Sequence, residues 1–250
     1  MNGVKDRNIR LTVAYDGSRY HGWQRQDNGI TIQEVMEKKI SLMADEPVAL
    51  IASGRTDAGV HALAQVCNFR TGAELSADVF RSGLNSLLPD DIFVKEARDM
   101  PLEFHSRYSA KKKTYEYRIL NLEERDIFRR LYSWHIRTPL DTDNMGKCLD
   151  MLKGKLDFSS FRSTGSENRD PVRNLSRAQI SGPGGGMIRI VIEADGFLRH
   201  MVRNIVGTVV DAGLGKISVE TFKSILEARD RSSAGIKAPP QGLFLVEVNY

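Results

Sequence analysis

Cysteine is nearly absent from this chain: two in 250 residues, Cys67 and Cys148, on segments that read as a strand and a helix. That excludes a disulfide framework, and neither cysteine has metal-ligand spacing, so both read as small buried apolar residues. No apolar run approaches the roughly 20 residues needed to span a bilayer. The first residues, Met1-Asn2-Gly3-Val4-Lys5-Asp6-Arg7, lack the apolar core of a secretory leader. A cytoplasmic protein is the expectation. No Gly-x-Ser-x-Gly elbow, phosphate loop or dinucleotide fingerprint is present. The run Gly182-Pro183-Gly184-Gly185-Gly186 is glycine-rich, but it lies between two apparent strands and reads as a hairpin turn. His21, His105, His135 and His200 have no paired spacing. Asp57 and His61 are four apart, but Gly59 argues against a helix that would align them.

What is present is ordinary in bulk and uneven in detail. A hydrophobic content of 41% with 27% charged residues fits one large globular domain or two small ones. The net charge is only +4, yet cations cluster. Arg107, Lys111, Lys112, Lys113, Arg118, Arg125, Arg129 and Arg130 are interleaved with Tyr108, Tyr115, Tyr117 and Phe128. Arg162, Arg169, Arg173 and Arg177 follow in a polar stretch. Cations for phosphates beside rings for bases are what looped RNA requires, although a solvated surface explains many charge runs.

Periodicity gives the architecture. Ile9 to Tyr15 alternates as a half-buried strand. Thr31 with Glu34 forms a capping box for a helix whose stripe is Ile32, Val35, Met36, Ile40 and Met43. Strands are expected at 48–53, 65–70, 92–97, 113–120, 172–181, 187–194 and 243–248. Further helices carry Val79, Phe80, Leu84, Leu87 and Leu88 after Ser76, then Met145, Cys148, Leu149 and Leu152, and a last one runs from Ser218 through Leu226. Between them a helix through Leu198, Met201, Val202, Ile205 and Val209 would carry Arg199 and Arg203 together on one face, which by charge spacing alone reads as its solvated side. Strands and helices mix in both halves, so an α+β protein with two sheet-bearing halves is expected, residues 1–107 and 108–250.

The block Gly54-Arg55-Thr56-Asp57-Ala58-Gly59-Val60-His61-Ala62 follows an apolar strand and sets an acid near an arginine in a glycine-flanked loop. Loops on a rigid scaffold carry most catalytic groups. Gly, Asp and Thr also build plain turns, so both readings stand on composition. With no cofactor motif in view, carboxylate chemistry is what remains: an ionised Asp can act as a nucleophile, and a nearby guanidinium favours that form. Adjacent side chains on extended backbone point apart, so the guanidinium need not be Arg55.

Tyr15-Asp16-Gly17, Tyr20-His21-Gly22-Trp23-Gln24 and Thr31-Ile32-Gln33 resemble the opening of the TruA family of tRNA pseudouridine synthases. The block from Ser53 to Ala62 resembles that family's catalytic loop. Leu87 to Ile92, Phe104 to Tyr108, Tyr115 to Tyr117, Asp157 to Phe161, Gly196 to Gly207 and Gly242 to Leu245 continue the likeness in order. The resemblance implies a pseudouridine synthase fold, with a mixed, largely antiparallel central sheet flanked by helices. It implies an isomerase that converts uridine to pseudouridine in the anticodon stem-loop of tRNA, at positions 38, 39 and 40, with no metal or redox cofactor.

By the same resemblance Asp57 is the nucleophile, attacking either the uracil ring or the ribose, and Arg203 is the buried partner that keeps it ionised. Arg55 helps extrude the target uridine, Tyr115 stacks on the flipped base and is a catalytic residue that later assists proton transfer, and Leu243 packs beneath the base. Phe104, His105, Ser106, Arg107, Tyr108, Lys111 and Lys112, with Gly165, Ser166, Glu167, Asn168 and Arg169, match tRNA-contacting stretches. Glu123 and Glu124 depart from the basic character expected there. The resemblance also implies a homodimer in which one tRNA touches both subunits. Two readings compete with it: a non-catalytic RNA-binding protein on the same fold, and a metal-dependent hydrolase built on Asp57 and His61, which lacks a third ligand.

Overall fold

Ile9, Leu11, Val13 and Tyr15 form one buried face of β1 (Arg7–Tyr15) in the computed structural model, which describes residues 7–165 and 170–250. Each fully buried aliphatic side chain of this kind contributes about 1.5–3 kcal/mol relative to exposure. The chain falls into two units, Met1–Lys111 with Leu245–Tyr250, and Lys112–Phe244.

In the first unit β1 is followed by α1 (Ile32–Ala44), β2 (Ile51–Ala52), β3 (His61–Thr71), α2 (Ala77–Leu87) and β4 (Ile92–Met100). β1 lies between β4 and β3, antiparallel to both. The ladder slips at Thr12–Val13 against β4 and between Val13 and Tyr15 against β3. Such irregularities re-aim the chain, here just before the turn at Asp16. β3 is longer than expected and buried along most of its length, so it takes in the last two residues of the Gly54–Ala62 block.

The helix starts are as the sequence implies. Thr31 caps α1 by accepting from Glu34 N, and Ser76 caps α2 by accepting from Val79 N. The apolar stripes are narrower than expected: Val79 is 44% exposed and Leu87 37%, while Phe80 and Leu84 are fully buried. The strand expected at 48–53 shrinks to two residues because side chains take its N–H groups. Val48 N donates to Ser41 Oγ, and Leu50 N donates to the buried Glu37 carboxylate at 2.8 Å.

The second unit contains β5 (Lys112–Asn121), β6 (Trp134–Ile136), α3 (Thr142–Asp150), β7 (Gly154–Asp157), β8 (Val172–Gly184), β9 (Met187–Ala194), α4 (Met201–Gly213) and α5 (Val219–Ala228). β5, β9, β8 and β7 lie side by side, antiparallel in turn, and β6 runs parallel to β5. β8 and β9 form the expected hairpin, turning at Gly185 and Gly186. The last strand, β10 (Leu243–Asn249), begins in this unit and ends in the first. The expected α+β class, with a mixed and largely antiparallel arrangement, is what the structure has. Cys67 and Cys148 are free and buried, and burial pushes the Cys148 thiol up to about 11.

α4 departs from expectation. Arg199 is not on it: Arg199 and His200 form a turn, and His200 has a left-handed φ of 61°. The Arg199 guanidinium donates to Thr164 O at 3.0 Å. Arg203 is on the helix but is 7% exposed, so the two arginines share no solvated face. α4 is buried nearly all round, whereas the charge spacing had suggested one wet side.

Candidate active site

The Gly54–Val60 segment is irregular backbone between β2 and β3, and its neighbours hold it on both sides of Asp57. Gln65, fully buried on β3, donates from Nε2 to Gly54 O at 2.9 Å, and the Ser53 hydroxyl bonds its Oε1 at 2.7 Å. The Thr56 hydroxyl pairs with the Tyr15 hydroxyl at 2.8 Å, and Thr56 O accepts from Trp23 N at 3.0 Å. Val60 N closes a turn onto Asp57 O at 3.1 Å. Gly22 has φ 88°, and a β-carbon there would lie 2.6 Å from Thr56 O, so no larger residue fits. Burial pushes the Tyr15 hydroxyl above its ordinary pKa, and the opposing pull of Thr56 is smaller, so it stays protonated at neutral pH. Two sequence blocks far apart in the chain, Tyr15–Gln24 and Ser53–Ala62, are therefore one object.

Within that object Thr56 is buried, Asp57 is half-buried and Arg55 is exposed. Alternation along an extended segment does this: burying Thr56 turns its two neighbours away from it. His61 belongs to the bracing. Its Nδ1 lies 3.2 Å from Gly17 N and 3.1 Å from Asp16 Oδ1, so it accepts from the first when unprotonated and donates to the second when protonated. Among the described residues no three His, Cys, Asp or Glu side chains are grouped to hold a metal ion.

In the second unit Tyr115 lies on β5, 8% exposed, with its ring edge-to-face against Phe197 at a centroid distance of 5.0 Å. Arg203 on α4 is gripped by a strap over that helix: Arg203 Nε donates to Ala238 O at 2.8 Å, and Ala238 N donates back to Arg203 O at 3.0 Å. The Tyr117 hydroxyl donates to Pro239 O on the same strap at 2.7 Å, and the strap runs into Leu243, itself 6% exposed. Asn204 and Thr208 extend the buried polar row on α4 by bonding Phe161 O and Gly235 N.

The expected RNA-contacting residues divide. Tyr108 is 77% exposed, with the His105 ring 4.3 Å away and the Arg107 guanidinium 5.8 Å from its centroid. Lys111 and Lys112 are exposed, and Lys112 pairs with Glu193 at 3.0 Å. Phe104 is half-buried, whereas Ser106 is fully buried. Gly165 is exposed; Ser166, Glu167, Asn168 and Arg169 lie outside the described residues. Several members of the basic and aromatic stretches are interior. Tyr117 is fully buried, Arg173 is buried and bonds Asp170 O, and Arg118 pairs with Glu116 over the Phe244 ring.

A profile of the tRNA pseudouridine synthase family matches residues 11–109 and 149–250, well over half of the chain. The chain belongs to the tRNA pseudouridine synthase family. It is 47% identical over 244 residues to a Thermoanaerobacter sp. (strain X514) protein named tRNA pseudouridine synthase A, covering 98% of this chain and 100% of that one. Proteins of the same name from Geotalea uraniireducens and Caldicellulosiruptor bescii are 45% and 44% identical over the same spans. The family is an enzyme family, and the braced loop lies within the matched residues. Sequence reasoning missed the bracing residues. The one signal that could have found them was polarity out of place, as at Gln65, a fully buried amide inside an apolar strand.

Proposed function

We propose that this chain converts uridines 38, 39 and 40 of the tRNA anticodon stem-loop to pseudouridine, with Asp57 as nucleophile on an extruded base. The observation that carries this reading is the loop itself: Asp57 and Arg55 project from backbone pinned at Gly54 and Thr56. Pinning is what a nucleophile needs, because reacting groups must be held in near-attack geometry before the substrate arrives. The reaction breaks the bond from ribose to uracil nitrogen and forms one from the same ribose carbon to a ring carbon. That carbon loses its hydrogen to solvent and the freed nitrogen gains one, so the product is an isomer and no oxidant is used.

A stacked base cannot be reached, and unstacking it costs a few kcal/mol. Arg55, exposed beside Asp57, fills the space the base leaves. Tyr115 stacks on the flipped base, which returns about 1–3 kcal/mol, and Leu243 packs beneath it. Arg203 keeps Asp57 ionised. Phosphate and base contacts at Phe104, His105, Arg107, Tyr108, Lys111, Lys112 and the 165–169 stretch supply the remaining affinity. Ser106 is fully buried, so it supports the stretch from within and does not touch tRNA. The working form is a homodimer in the cytoplasm, where two basic surfaces share one tRNA and offset the small net charge of +4. In the described residues no helix is long and apolar enough to cross a membrane.

Transcripts with uridine at only one of the three positions test this. Each is expected to gain pseudouridine at its single site. Tight binding of all three without conversion would favour an RNA-binding protein, and conversion outside the anticodon arm would overturn the substrate assignment. The bracing makes a second prediction. Tyr15→Phe removes one buried hydrogen bond and leaves the Thr56 hydroxyl unpaired, worth about 1–3 kcal/mol. The single-turnover rate should therefore drop by roughly ten-fold with tRNA affinity unchanged. A lower melting temperature with an unchanged rate would show that the bond serves folding alone.

A further inference from the structure

We infer that Tyr250 is a positioning residue for tRNA binding. The inference rests on the reading of residues 104–108 as a tRNA contact. The exposed part of that stretch is Arg107 and the Tyr108 ring, which His105 backs. A platform of this kind gains affinity only if the turn beneath it is fixed, because ordering a loose turn on binding costs conformational entropy.

Ser106 is the fixed point. Its N–H donates to Asn68 Oδ1 at 2.9 Å, and its carbonyl accepts from the Tyr250 hydroxyl at 2.9 Å. Both of its backbone groups are therefore taken up inside the protein, and they hold the residue in place. The Tyr250 ring also packs on Phe104 at a centroid distance of 5.0 Å, and the Arg10 guanidinium lies 5.1 Å from its centroid. Asn249 O, one residue earlier, accepts from Lys111 N at 2.8 Å. Tyr250 thus touches the stretch at both ends of Phe104–Ser106, and the residue is half-buried.

The test compares Tyr250→Phe with Tyr108→Ala in the full chain, reading KM for tRNA, kcat and melting temperature. Tyr250→Phe keeps the ring contacts and removes only the bond to Ser106. KM should rise about five-fold, the equilibrium factor that one hydrogen bond is worth, with kcat within two-fold. Tyr108→Ala should raise KM at least as much. A Tyr250→Phe protein with a lowered melting temperature and unmoved KM, or with kcat reduced and KM unmoved, overturns the inference. If Tyr108→Ala raises KM and Tyr250→Phe does not, only the role of Tyr250 falls. If Tyr108→Ala leaves KM unmoved, the reading of 104–108 as a tRNA contact falls with it.

Discussion

Asp57→Asn should lower the single-turnover rate of pseudouridine formation by at least about 10³-fold, the scale on which removing a nucleophile acts, while tRNA binding stays within a few-fold. The substitution is close to isosteric, and an amide is not a competent nucleophile in place of a carboxylate. The bonds that pin the loop at Gly54 and Thr56, from Gln65, Tyr15 and Trp23, and the turn from Val60 N to Asp57 O are all still available after it. Backbone carbonyls are untouched by the change. Rate and affinity measured on the same preparation separate the outcomes. A normal rate would place the nucleophile elsewhere, and joint loss of rate and binding would make Asp57 an RNA-contact or structural residue.

Gly207→Ala should destabilise the protein although it replaces glycine by alanine inside a helix. On an open helix that exchange stabilises by about 1 kcal/mol. Gly207 lies under the strap, where a β-carbon would collide with Ile236 O and approach Ala238 N at 3.3 Å. Overpacking of this kind costs typically 1–3 kcal/mol, and here the obstacle is backbone, which cannot rotate away. The strap must lift, and it carries the Ala238 peptide that grips Arg203 from both sides. The melting temperature should fall by roughly 5 °C or more, taking about 2–4 °C per kcal/mol for a domain of this size, and turnover should fall with it. An unchanged or raised melting temperature would show that the strap does not bear on α4.

The sequence made the elements legible where periodicity and caps agree. β1, α1 and the β8–β9 hairpin are in place because alternation, the Thr31 cap and the glycine turn each specify them locally. It was silent where a distant group decides. β2 is short because Glu37 and Ser41 intercept its N–H groups, and no local pattern announces that. β6 and β7, of three and four residues, are too brief for any period to register. Arg199 and Arg203 at a spacing of four looked like a wet helical face; a left-handed residue at His200 separates them, and only the second is buried on α4.

The candidate site divides in the same way. The Gly54–Ala62 block stands out because its composition is local, and its exposure pattern follows from alternation around buried Thr56. The bonds that hold it come from Tyr15, Trp23 and Gln65, whose side chains or backbone reach it only after β1 and β3 have paired. Likewise the stretch rich in cations and rings promised a wide RNA surface, but Tyr117, Arg118 and Arg173 are spent on interior packing and ion pairs. The exposed ring of Tyr108 survives that division, and it sits on a turn whose anchor comes from the far end of the sequence.

On the proposed reading this chain moves the ribose bond of uridine from nitrogen to carbon by means of Asp57. Transcribed tRNA carrying tritium on the uracil carbon that becomes bonded to ribose reports that step directly, since the label must leave as the new bond is completed. The wild-type protein should release tritium in step with pseudouridine formation and leave the mass of the unlabelled tRNA unchanged, and Asp57→Asn should release none above background. Absence of release by the wild-type protein, or loss of uracil from the tRNA in its place, would rule out this bond exchange.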